Sequence, residues 1–301
     1  MLICVILAGG RGTRLIPLTD TTPKPLLKAG GKTLLEWNMD NVVNSVDKFV
    51  IVISYLGDQI IEQIGDNYKG KPVEYVWQTN PKGGTLDAFR TAIFEKNGKQ
   101  NENPNSENPE NTPENTGSNL INSRENSTAN SMGNSASNSV STNEKSSDSL
   151  DNYLVIHADD VHAQATFDNL FAEIRKNPKE CYLSAKVLQN SQDGINFGMF
   201  EIEDNYQFIR IVEKPDYFVS NLANIAISYF PNKVLEFVSR EIVNLPIGQK
   251  EAYITDLFND YSAKYPIKVV PTIGMWLPVT SIADLEKTDK ILSQNSPCQG
   301  G

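Results

Sequence analysis

Residues 2–7, Leu-Ile-Cys-Val-Ile-Leu, form a short unbroken apolar run, and Ala8-Gly9-Gly10-Arg11-Gly12-Thr13-Arg14 follows at once. A segment apolar at every position, rather than at alternate ones, fits a strand buried on both faces. Such strands belong to parallel sheets covered by helices. The run is too short and too weakly flanked to be a signal-peptide core. The sudden change to glycine and cations ends the strand in a loop. Gly9, Gly10 and Gly12 permit backbone geometry closed to other residues and let main-chain N–H groups approach an anion. Arg11, Thr13, Arg14 and, ten residues on, Lys24 add side-chain donors and positive charge. A triphosphate requires both kinds of group.

Two other phosphate-loop patterns fit poorly. Gly10-Arg11-Gly12 lacks the third glycine of a dinucleotide fingerprint, and Pro17, Pro23 and Pro25 forbid an immediate long helix. Gly31-Lys32-Thr33 resembles the end of a P-loop, but Leu26 stands where its first glycine belongs. That stretch reads as a turn with a helix starting near Thr33.

The rest of the chain alternates strand and helix. Helical spacing covers 34–46, 58–66 and 86–96, and strand-like runs cover 48–53, 73–77 and 153–157. This alternation predicts a parallel sheet with helices on both faces, whose ligands sit beyond the carboxyl ends of the strands. Runs at 182–187, 198–202, 208–212 and 223–229 read as antiparallel additions. Helices at 232–243, 254–264 and 282–292 and a strand at 267–270 complete the pattern. Residues 99–149 differ in kind: about half are Asn or Ser, with few large apolar groups. Such a segment cannot bury enough surface to offset its ordering entropy, so disorder is expected there. A surface connection tolerates the insertion, because loop-closure cost grows slowly with length. The expected organisation is one domain from 1–98 and 150–292, with a frayed tail at 293–301.

The 27 basic and 37 acidic residues give a formal net charge of −10. Nucleic-acid binders are more often basic, so that partner is disfavoured. Cys4, Cys181 and Cys298 lie far apart and suggest neither a metal-ligand pair nor a disulfide framework. No apolar stretch approaches a membrane span. The expectation is a soluble cytoplasmic protein with no membrane partner.

Leu7-Ala8-Gly9-Gly10-x-Gly12-Thr13-Arg14-Leu15-x-Pro17-Leu18-Thr19, followed by Pro23-Lys24-Pro25-Leu26-Leu27, resembles the signature of the sugar nucleotidyltransferases. The resemblance extends over about 1–95 and 151–292. It implies a Rossmann-like, open, twisted, mostly parallel α/β sheet with a mixed sugar-binding half. It implies transfer of a nucleotidyl group from an NTP to a sugar 1-phosphate, with diphosphate released and Mg²⁺ as cofactor. Arg14 and Lys24 would be the catalytic cations, and Leu7, Ala8, Gly9, Gly10, Arg11, Gly12 and Thr13 would hold the nucleotide. In Val155-Ile156-His157-Ala158-Asp159-Asp160, Asp159 matches the metal-binding aspartate. His157 and His162 add no convincing transition-metal set, since no further His or Cys lies nearby. In Glu213-Lys214-Pro215 the glutamate would receive sugar hydroxyls and the lysine the sugar phosphate. Gly198 matches the glycine against which the sugar lies. Gln78, Gly83, Gly84 and Thr85 fall where relatives hold base and ribose. A glutamine amide suits the ring imide of uracil or thymine, giving a lean to UTP or dTTP. Many relatives are oligomers, so a homo-oligomer is an open expectation. No hexapeptide repeat follows, so the β-helix appended to some relatives is not expected.

The pattern breaks at three places. Trp276-Leu277-Pro278-Val279-Thr280 puts Pro278 where the family carries a second metal aspartate and Thr280 where it carries glycine. Tyr253 replaces a glutamate in Lys250-Glu251-Ala252-Tyr253-Ile254-Thr255-Asp256, an expected sugar-side wall, and Ala226 replaces a common glycine. Three outcomes stay open at the metal: Asp159 acts with phosphate oxygens alone, Asp160 or another acid compensates, or the chain binds nucleotide without turnover. A cytidylyltransferase acting on a non-sugar phosphate is a further alternative, opposed by Gly198 and Glu213-Lys214-Pro215.

Overall fold

The computed structural model describes residues 1–80, 83–94, 151–238 and 252–295. In chain order the first elements are β1 (Leu2–Leu7), α1 (Leu34–Val42), β2 (Lys48–Ile53), α2 (Gly57–Ile64), β3 (Lys71–Trp77), α3 (Gly84–Phe94) and β4 (Asn152–His157). Then come β5 (Asp160–His162), α4 (Gln164–Lys176), β6 (Cys181–Val187), β7 (Gly198–Ile202), β8 (Phe208–Glu213) and β9 (Leu222–Phe230). The last are α5 (Ile254–Ser262), β10 (Ile267–Thr272), β11 (Trp276–Pro278) and α6 (Ile282–Asn295).

β1 lies inside the main sheet, parallel to β2 on one edge and β4 on the other; β2 in turn pairs in parallel with β3. The second half is mixed. β9 runs antiparallel to β4 and β6, β10 is parallel to β6, and β7 and β8 form an antiparallel pair joined to β9. This is the expected mostly parallel sheet with a mixed half.

Alternation along β1 sorts its side chains to two cores. Ile3 and Val5 join the cluster under α3 and α5, through Leu86, Phe89, Leu257 and Phe258. Cys4 and Ile6 join the cluster under α1, α2 and α4, through Leu35, Met39, Ile60, Phe167 and Leu170. Every β1 residue from Ile3 to Ile6 is fully buried, which is why the run is apolar at each position. At about 25 cal/mol per Å² of apolar surface, each such side chain contributes roughly 1.5–3 kcal/mol.

Local chemistry sets several boundaries. A capping box starts α1: Thr33 Oγ1 accepts from the Glu36 N–H, and Glu36 accepts from the Thr33 N–H. Such a cap is worth about 1 kcal/mol. α1 stops at Val42, short of the expected 46, where the chain turns through Asn44 and Ser45. Gly65, at φ +73°, closes α2. Residues 164–176 carried no expectation, yet they form α4, with Phe167, Leu170, Phe171 and Ile174 buried on one face. Of the tail expected to fray, 293–301, residues 293–295 belong to α6, and the remainder lies outside the described residues. The segment expected to be disordered, 99–149, lies outside the described residues, as do residues 239–243 of the helix expected at 232–243.

A third apolar cluster supports the loop after β1. Leu292 of α6 packs with Leu15, Leu27, Ala29 and Leu34. The Gly30 N–H donates to Asp289 Oδ1 at 2.8 Å, and a Cβ on Gly30 would lie 2.4 Å from that of Leu292. The C-terminal helix thereby braces the segment that presents Lys24.

Candidate active site

The parallel strands β1 to β4 all end on one rim. The chain steps from β1 to β2 and β3 on one side, then returns to place β4 on the other. The β1–β4 junction is therefore a topological switch point, where the connecting segments diverge and leave a crevice. Leu7 and His157 pair across it, and Ala8 still bonds to the Val52 carbonyl at 2.8 Å.

Beyond Ala8 the ladder ends. Among the described residues, the N–H groups of Gly9, Gly10, Arg11 and Gly12 have no intramolecular acceptor. Successive backbone N–H groups left unpaired in a turn are the kind of donors that anion-binding nests use. Gly12 adopts φ +63°, and a Cβ there would stand 3.0 Å from Thr19 Cγ2 and 3.1 Å from Lys24 Cβ. Its carbonyl is held by the Leu15 N–H and the Thr19 hydroxyl at 2.8 and 2.9 Å. Thr13 and Arg14 are exposed at the mouth of the loop, while the Arg11 guanidinium lies over the Tyr55 ring, 4.7 Å from its centroid.

Lys24 starts a 3₁₀ turn flanked by Pro23 and Pro25, whose fixed φ values restrict the backbone that carries it. Its Nζ donates to Asp159 Oδ2 at 2.9 Å; the lysine side chain is 11% exposed and the aspartate 44%. Burial acts to raise the Asp159 carboxyl. The Lys24 ammonium, His157 and hydrogen bonding outweigh that and hold it below the usual carboxylate range. Burial makes the adjacent His157 harder to protonate, so its pKa lies below the ordinary histidine value.

Asp160 has different surroundings. β11 pairs with β5 so that Pro278 stands directly opposite Asp160. The Trp276 indole N–H donates to Asp160 Oδ2 at 2.9 Å, and the Val279 N–H approaches Oδ1 at 3.3 Å. Burial first, and the Asp159 charge second, push the Asp160 carboxyl up to about 7. Asp159 is thus the reachable carboxylate at the strand end, and Asp160 is committed to holding β11. One reachable carboxylate fits Mg²⁺, which commonly takes one or two carboxylates and completes its shell with substrate phosphates and water.

On the other side of His157 lies a cavity of about 610 Å³. Its floor is every second residue of three strands: Val155 and His157 of β4, Asn224, Ala226 and Ser228 of β9, and Ile211 and Glu213 of β8. β7 lies between β8 and β9, and its residue opposite Glu213 is Gly198. A Cβ there would meet Glu213 Oε2 at 2.8 Å and Ile211 Cδ1 at 2.9 Å, the outer ends of two flexible side chains, so a side chain here would displace the carboxylate. The first turn of α5 and Thr85 at the start of α3 close the other wall, and Lys214 stands at the edge. Lys214 and Ala226 both have positive φ, 44° and 57°. Ala226 lies in an irregularity of the β6–β9 register between Asn224 and Ser228, with its N–H donating to Asn224 Oδ1 at 3.0 Å.

Gln78 follows β3 beside the loop. Its Nε2 donates to the Gly84 carbonyl at 3.0 Å and to Asp87 Oδ2 at 3.1 Å. Two acceptors on one side fix the amide orientation and turn Oε1 toward Gly9, whose built Cβ would lie 3.3 Å away. Gly84, at φ +72°, passes so near the Ala252 carbonyl that a Cβ would overlap it at 2.2 Å. Thr85 Oγ1 accepts from the Ile254 N–H at 2.9 Å, tying the start of α3 to that of α5. Gly84 thus serves close backbone approach, while a Cβ on Gly83 would meet the Asp87 side chain. Two groups emerge: the loop with Lys24, Asp159 and Gln78, and the cavity with Thr85, Gly198, Glu213 and Lys214.

Asn224, Ser228 and Asn259 line the cavity and had no expected role. A signal existed for the first two. Asn224, Ala226 and Ser228 interrupt the face of β9 that is apolar at Leu222 and Phe230.

A family model described as "Nucleotidyl transferase" matches residues 3–108 and 105–295. The chain belongs to the nucleotidyl transferase family. It is 40% identical over 80 residues to the UTP–glucose-1-phosphate uridylyltransferase AglF of Haloferax volcanii, a match covering 26% of this chain and 33% of that one. It is 22% identical over 289 residues to the bifunctional protein GlmU of Methanocaldococcus jannaschii, covering 96% of this chain and 53% of that one. The chain therefore spans between a third and about half of these relatives. A solved UDP-glucose pyrophosphorylase complexed with UDP-glucose shares the fold of this nucleotidyl transferase, with a TM-score of 0.70 at 16% identity, covering 98% and 99% of the two chains.

Proposed function

We propose that the chain transfers a nucleotidyl group from an NTP to a sugar 1-phosphate, forming an NDP-sugar and releasing diphosphate. The observation that carries this reading is the pair of subsites divided by β4. A nest of unpaired amides with Lys24 and Asp159 lies on one side, and a polar cavity with Glu213 and Lys214 on the other. The first suits a polyphosphate and the second a phosphorylated polyol.

In this reading the N–H groups of residues 9–12 cradle the phosphates, with Arg14 at the mouth. Lys24 stabilises the charge that develops as the α-phosphate is attacked. Lys214 holds the acceptor phosphate, Glu213 accepts sugar hydroxyls, and the fixed geometry aligns the acceptor oxygen with the α-phosphorus. Asp159 and the phosphate oxygens would hold Mg²⁺, which supplies charge neutralisation when bound. Gln78 Oε1, facing the loop as an acceptor, suits the N3–H of uracil or thymine and opposes cytosine, whose N3 is itself an acceptor. This supports UTP or dTTP. The described cysteines, Cys4 and Cys181, are free and buried, which supports a reducing compartment such as the cytoplasm.

A second reading, binding without turnover, draws support from Pro278, which offers no carboxylate opposite Asp160. A diphosphate-release screen of NTPs against phosphorylated acceptors separates the two. Release with UTP or dTTP and a sugar 1-phosphate is expected. Binding of UTP with no release for any acceptor would favour the silent binder, and release only with CTP and a non-sugar phosphate would refute the sugar assignment.

A further inference from the structure

We propose that His157 is an acceptor-binding residue, its imidazole Nδ1 giving one hydrogen bond to a phosphate oxygen of the sugar 1-phosphate. The inference rests on the nucleotidyl-transfer reading and deepens its acceptor subsite.

Three observations carry it. His157 ends the strand that divides the two subsites, paired with Leu7 on one edge, while its neighbour Ile156 pairs with Ile227 on the other. It stands two residues before Asp159 and lines the same cavity as Lys214 and Ser228. Of the cavity-lining residues it is the nearest in the chain to Asp159, at the end of the strand that carries the aspartate.

The third observation is which ring nitrogen can reach a ligand. Nε2 is enclosed and has no hydrogen-bond partner. An enclosed nitrogen cannot reach a ligand, so any contact this ring makes to one goes through Nδ1. His157 as a residue is half-buried and lines the cavity. Among the described residues His157 Nδ1 has no hydrogen-bond partner, which leaves it to donate to a bound anion. A histidine serving only to pack the core would have both nitrogens enclosed or satisfied.

The test compares H157L, H157N and H157Q in the full chain. Diphosphate release is measured with UTP and either glucose 1-phosphate or N-acetylglucosamine 1-phosphate, whichever the wild type turns over faster. UDP-glucose binding is measured in parallel by calorimetry. One hydrogen bond to a charged oxygen corresponds to about a 10- to 100-fold effect. H157L should raise the KM for the sugar 1-phosphate by that factor and leave the KM for UTP within about twofold. H157N places its amide nitrogen near the Nδ1 position and should recover most of the loss; H157Q reaches toward Nε2 and should not. An unchanged acceptor KM in H157L, an equal rise in both KM values, or rescue by Gln but not Asn overturns the proposal. If H157L does not fold, the Asn–Gln contrast decides. A wild type that binds UDP-glucose without releasing diphosphate removes the activity reading alone. H157L must then weaken UDP-glucose binding about tenfold or the proposal falls. A wild type that neither turns over nor binds overturns both.

Discussion

Replacing Lys24 by Ala removes an ammonium that sits 2.9 Å from Asp159 Oδ2 and is only 11% exposed. The variant should lose far more activity than stability. A preorganised donor aimed at developing charge is worth about 2.7–4 kcal/mol, so turnover should fall at least a hundredfold. The ion pair itself has a partner that is 44% exposed, and screening limits its stability contribution to about 1 kcal/mol. The pH dependence follows from Asp159, whose carboxyl is held low despite burial, chiefly by Lys24. A carboxyl held low contributes stability above its unfolded value and loses it as the pH falls through its folded value. The gap in stability between wild type and K24A should therefore be full at neutral pH and close as the pH drops below about 3.8. Diphosphate release and urea unfolding across this range check both parts. A folded K24A with turnover within fivefold of wild type, or a gap that widens in acid, would refute the reasoning.

Other perturbations test neighbouring parts. G198A puts a Cβ against Glu213 Oε2 and Ile211 Cδ1, side-chain ends that can shift, and should cost less than about 1 kcal/mol of stability, read by thermal unfolding, with at least a tenfold drop in kcat/KM for the sugar 1-phosphate. A226G relieves a left-handed alanine, at φ +57°, worth about 1–2 kcal/mol, and adds unfolded-state entropy of somewhat less. Chemical unfolding should show a net gain of about 0.5 kcal/mol, and a loss of 1 kcal/mol would argue against the strain. Asp160, raised by burial to about 7, binds its proton more tightly when folded, so its contribution is present below about 3.8 and is lost as the pH climbs toward 7. D160N should flatten wild-type stability in that window. A decline that persists unchanged in D160N assigns it to another group.

The first strand and its loop were legible because they are local. β1 is apolar at each position since both faces are covered, and glycines with cations can mean few things at a strand end. Asp159 and Glu213-Lys214 were readable for the same reason, each closing a strand. The helix α4 was legible in principle, since Phe167, Leu170, Phe171 and Ile174 repeat at helical spacing. The cavity floor was not. Asn224, Ser228 and His157 face the same space only because β9 adds antiparallel to β4, a pairing between residues about 70 apart in sequence. The commitment of Asp160 to Trp276 and Val279 is likewise a long-range contact, across more than 110 residues. Sequence could say that Pro278 had lost a carboxylate but not that it lies opposite another.

A crystal structure of the full chain with UDP-glucose tests the central claim most directly. The account predicts the diphosphate against the amides of Gly9 to Gly12, the uracil N3–H on Gln78 Oε1, and the hexose over Gly198 between Glu213 and Lys214. A diphosphate bound away from that loop, or a hexose outside the β8–β9 cavity, would contradict it.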